Sequence, residues 1–93
     1  MSIKAVTPED IFADNINYTQ ARGVEVRKGT VAAFIANINI FEDDSSSAED
    51  KTQAIHMIME LAPAIVALGF PQHITFKNSL IESIIQETKA QFE

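Results

Sequence analysis

The sequence predicts a small all-α domain, a bundle of about four helices over 8–14, 30–42, 47–68 and 79–92. Three observations lead there. Apolar residues recur at helical spacing in separate stretches. Each stretch follows a Thr, Ser or Asn able to cap it. The 93 residues are 46% hydrophobic with only 3 Gly and 3 Pro, which suits packed helices better than strands and turns. A chain of this length is expected to form one domain, 1–93, because single cores span roughly 50–200 residues.

The first helix opens at Thr7. Pro8 sits at the first helical position, and Glu9 and Asp10 fill the first turn. Thr7 and Asp10 resemble a capping box, with Val6 and Ile11 placed for a hydrophobic staple. Over 30–42, Thr30 can cap, and Val31, Phe34, Ile35, Ile38 and Phe41 keep helical spacing. Ile38-Asn39-Ile40 alternates like a strand, but Val31-Ala32-Ala33 and the length favour helix. Ala33 and Ile40 lie on the far side, so this helix is expected to be buried almost all round.

Ser46 with Glu49, or Ser47 with Asp50, can box the start of the third helix. Ala54, Ile55, Ile58, Leu61, Ala62 and Ile65 share one face, which Met57, Met59, Val66 and Leu68 widen to about half the circumference. Gln53, His56 and Glu60 stand opposite. Pro63 is expected to kink or divide this helix, and Gly69 to end it. Asn78 or Ser79 caps the last helix, Ser79 with Glu82 offering a box. Its stripe is Leu80, Ile81, Ile84, Ile85, Thr88 and Phe92. Val24–Arg27 and Ile74–Phe76 alternate, and a minor extended pair of 24–27 with 74–76 is expected at the domain edge.

Composition excludes several activities. Thirteen acidic and 7 basic residues give a net charge of −6, which argues against nucleic acid and anionic membranes as partners. Without Cys there are no disulfides or thiolate metal sites. No apolar run reaches signal-peptide or membrane-span length, so a cytoplasmic protein is expected. No Gly-x-Ser-x-Gly, Gly-x-Gly-x-x-Gly or P-loop occurs, and no catalytic residue or cofactor is assigned. His56 and Glu60 stand four apart, but a metal site needs a third ligand, so the pair reads as surface and no metal is expected. The acidic stretch Glu42–Asp50 lacks the Gly and the final Glu of a calcium loop and reads as a solvated linker ending in a cap.

Two functional expectations follow. The stripes look too wide for one small subunit, so the leading one is a non-enzymatic protein–protein interaction module that forms a homodimer or takes another protein partner. Its candidate interface is Met57, Ile58, Met59 and Val66 on the third helix with Ile81, Ile85 and Phe92 on the last. The alternative is a small-molecule or anion-binding protein, conceivably a weak enzyme. It would use Arg22, Arg27 and Lys28 with the amides after Gly29 and Thr30, at a helix N-terminus.

Overall fold

The structure, a computed structural model, describes residues 6–11 and 18–92. In chain order it has a helical turn α1 (Pro8–Ile11), strands β1 (Tyr18–Ala21) and β2 (Val24–Arg27), and helices α2 (Thr30–Glu42), α3 (Ala48–Ala67) and α4 (Ser79–Gln91). A 3₁₀ turn over Phe70–Gln72 lies between α3 and α4. The protein is mostly helical, with three longer helices and one antiparallel hairpin.

The helix starts follow local chemistry. The Thr7 amide donates to Asp10 Oδ2 at 2.9 Å, making one half of the expected box at α1. That amide, then the Thr7 side chain, holds the Asp10 carboxyl below its usual range. Val6 and Ile11 are both exposed, so the staple adds no buried surface. Of the expected 8–14 helix, 12–14 lie outside the described residues. Ser47 and Asp50 form the full reciprocal box of α3. In the loop before it, Asp43 accepts from the Ser45 hydroxyl and amide, which lowers its pKa. The stabilisation from this tie is fully present above the ordinary aspartate value and is lost as pH falls through the lowered one.

The Asn78 side chain caps α4 by accepting from the Leu80 and Ile81 amides. Its Nδ2 also donates to Glu42 Oε2 at 3.1 Å, tying the start of α4 to the end of α2. The expected Ser79–Glu82 box gives way to this cap, and Glu82 instead accepts from the Phe76 amide at 2.9 Å. Asn78→Ala should therefore cost about 1–2 kcal/mol. Asn78→Ser keeps a capping oxygen without adding charge beside Glu42 and loses only the donor to it, so it should cost less. Thermal melts of both variants check the order.

The extended pair is rearranged from expectation. β2 pairs with β1, from Ala21↔Val24 to Tyr18↔Arg27, and not with 74–76. The two-residue connection Arg22-Gly23 has φ of 50° and 81°, the positive values that a tight type I′ hairpin turn requires at both positions. Ile74–Phe76 is left without strand pairing, and its role is to carry Phe76 inward. The Phe76 ring packs edge-on to Phe34 at 5.4 Å and stacks with Phe70 at 6.3 Å.

α3 is the centre of the molecule, touched by α2, α4, β2 and the 3₁₀ turn. It is not divided at Pro63, which lies inside the one helix, and it ends where Gly69 takes a left-handed φ of 99°. Its inward residues Ile58, Ala62, Ile65 and Val66 meet Phe34 from α2 and Ile81 and Ile85 from α4 in one buried cluster. A wide apolar arc on α3 is thus satisfied by three neighbours of the same chain. Leu80, assigned to the α4 stripe by spacing, is exposed.

Candidate functional site

From Thr30 to Phe41, α2 carries no charged side chain. At 100° per residue, Phe34, Ile38 and Phe41 share one side, and that side faces the core. The other side of the helix is exposed and largely apolar. Ile35 and Ile40 retain 42% and 41% of their surface, and Ala32, Ala33, Ala36 and Asn39 are exposed between them. A helix apolar on every side is normally enclosed. Here one half is enclosed by the chain and the other half faces outward.

Beside this face, α2 and α3 leave a groove of about 650 Å³. Ala33, Asn37 and Ile40 line it from α2, and Asp50, Gln53, Ala54 and Met57 from α3. Met57 is 40% exposed and extends the apolar surface from α2 onto α3. Asn37 folds its amide back on its own helix, with Nδ2 donating to the Ala33 carbonyl at 2.8 Å. Its second N–H and its Oδ1 still require water or a partner group when the groove is covered.

The interface residues expected from sequence are divided. Ile58, Val66, Ile81 and Ile85 are fully buried in the chain's own core and present no side-chain surface to a partner. Phe92 is half-buried beneath the Arg22 guanidinium, 5.3 Å from its ring centroid, a cation–π contact that clasps the hairpin turn to the end of α4. Met57 and Met59 are exposed but do not converge. Met57 lines the α2–α3 groove, whereas Met59 lines a small cleft with Pro63, Ile84 and Thr88.

The basic residues are divided as well. Arg22 is in the hairpin turn that precedes β2, and Arg27 is at the far end of that strand, about 10 Å beyond Val24 at ~3.3 Å per residue. Arg27 pairs with Glu25 at 3.4 Å. Lys28 and Gly29 follow in the turn to α2. Thr30 does not cap the helix: its hydroxyl turns back, donating to the Arg27 carbonyl at 2.7 Å and accepting from the Arg27 amide. Gly29 takes the cap position, and no side chain caps the first amides of α2. A mostly apolar cavity of about 390 Å³ adjoins them, lined by Ile11, Val26, Arg27, Val31 and Leu68.

His56 and His73 are both exposed, and among the described residues no three His, Asp or Glu side chains gather at a metal site. No described helix is long and apolar enough to cross a membrane. The residues that sequence reasoning did not assign to a site are Ala32, Ala36, Ile35 and Ile40. The signal that marks them is the absence of charge over twelve consecutive helical positions. No family model, curated protein or solved structure matches the chain.

Proposed function

We propose that the protein is a non-enzymatic interaction module that self-associates, burying the outward face of α2. One observation carries this reading: α2 is uncharged from Thr30 to Phe41, yet only half of it is covered by the other described residues. Contiguous exposed apolar surface on a small domain marks an interaction site. Covering the remaining surface of Ile35, Ile40 and Met57 contributes about 0.6–1 kcal/mol per side chain. Over two copies that sum, with the alanines exposed between them, has to offset the lost freedom of association, so the expected dimer is weak, with a Kd of roughly 30–100 μM.

Light scattering over a concentration series tests the reading. The mass should rise from 10.3 kDa toward twice that value as protein reaches roughly 300 μM, well above the expected Kd. A constant 10.3 kDa over that range excludes self-association.

The cavity at the start of α2 supports a second reading, a binding site for a small apolar carboxylate. The ligand's tail would contact Val26, Val31 and Leu68, and its charge would meet Arg27 and the uncapped amides. A thermal-shift screen with short-chain fatty acids should then raise the melting temperature, and Arg27→Ala should remove that rise. No shift with any carboxylate, or an unchanged response in the variant, rejects it. Arg22 takes no part, since it is held at Phe92.

A further inference from the structure

We infer that the partner seated on the outward face of α2 is a second copy of this chain, whose own α2 lies antiparallel across it with the two helices crossing at Ala36. The arrangement rests on the self-association proposed above and specifies its geometry.

Charge selects the occupant. Each copy has a net charge of −6, so two copies approach closely only through a surface free of charge. The stretch Thr30–Phe41 offers one. The two ends of α2 are also oppositely charged. Arg27 and Lys28 precede it beside amides that no side chain caps, and Glu42, Asp43 and Asp44 close it. Antiparallel packing brings each acidic end to the basic start of the other copy, where the helix dipole also favours negative charge. Parallel packing would set acid against acid. A strongly basic foreign partner would instead be drawn to the acidic loop and would leave the uncharged face open.

Shape agrees with charge. Ala36 is the midpoint of Thr30–Glu42. About a two-fold axis there, residues equidistant from Ala36 oppose each other, which sets Ile40 against Ala32 and Asn39 against Ala33 of the second copy. Large side chains thus meet small ones, and Ala36 meets its equivalent, so the backbones can approach at the short end of helix packing distances.

The chain has no Cys, so single introduced cysteines report the contact without background. Ala36→Cys, Ala32→Cys, Ile40→Cys and a control Gln86→Cys on α4 are exposed to a mild oxidant at a concentration where light scattering shows the dimer. Ala36→Cys should cross-link to itself in most chains, since the two Cα atoms fall within disulfide range. Ala32→Cys alone should cross-link little, because its copies lie about 12 Å apart along the pair. Ala32→Cys mixed with Ile40→Cys should form the heterodimer, and Gln86→Cys should stay reduced. Efficient self-linking of Ala32→Cys, or none at Ala36→Cys in a protein that is dimeric by mass, overturns the arrangement and leaves self-association standing. A wild-type chain that is monomeric by mass overturns both.

Discussion

Phe34→Ala should destabilise the protein by about 3–5 kcal/mol, the range for emptying a fully enclosed phenylalanine site. Phe34 is wholly buried, and it is the point where α2 meets both the central helix and the aromatic pair Phe70–Phe76. The cavity would open among Ile58 and Ile65 of α3 and Ile81 of α4, side chains held by two different helices. They cannot close it without moving a helix. A domain of this size has roughly 5–14 kcal/mol of stability in all, so the loss is a large fraction. The melting temperature should fall by about 12 °C or more. Melts followed by far-ultraviolet circular dichroism measure this directly. A fall of only a few degrees would mean that Phe34 is not a keystone of the core.

Two positions along the same helix the expectation reverses. Ala36→Glu should leave the melting temperature of the isolated chain nearly unchanged and should abolish self-association. Ala36 is exposed, and glutamate is a good helix former, so the change costs the fold within about 0.5 kcal/mol. At the crossing point of two copies, however, it sets two carboxylates against each other in a surface without a countercharge. Like-charge juxtaposition of that kind costs several kcal/mol, equivalent to a weakening of about a hundredfold or more. The contrast between Phe34 and Ala36 would separate the two faces of α2, one serving the fold and the other proposed for contact between copies.

The helices were legible because their ends are written in short-range chemistry. Ser47 with Asp50 and Asn78 before Ser79 locate α3 and α4 to within a residue. α2 spans the full expected 30–42, although its start does not use Thr30: that hydroxyl closes the turn onto Arg27 instead. Strand β1 was not legible. Its turn is Arg22-Gly23, and Arg lacks the ready access to positive φ that makes Asn-Gly a recognisable hairpin signal. Ile74–Phe76 alternates like a strand, but the Glu82 carboxylate accepts from the Phe76 amide, and the alternation reflects only one inward ring.

Four of the seven expected interface residues, Ile58, Val66, Ile81 and Ile85, are buried in the chain's own core for a physical reason as well. Periodicity gives the phase of an apolar stripe and its width, but not the number of neighbours that will meet it. The broad arc of α3 looked excessive for one subunit, but its centre is covered by α2, α4 and β2, and only Met57, Met59 and Leu68 at its margins stay exposed. The surplus lies on α2, which has fewer neighbours and no charge over twelve residues. The even sprinkling of alanine there made the outward face look like ordinary helix filler. The basic cluster was likewise close in sequence only, since β2 separates Arg22 in the turn before it from Arg27 at its far end.

Sedimentation of the wild-type chain and of Ala36→Glu, side by side over the same concentration series, tests the central claim most directly. The wild type should shift reversibly from the 10.3 kDa monomer toward a dimer, while Ala36→Glu stays monomeric throughout with an unchanged melting temperature. A wild type that sediments as a monomer at every concentration, or a variant that dimerises as tightly as the wild type, would contradict it.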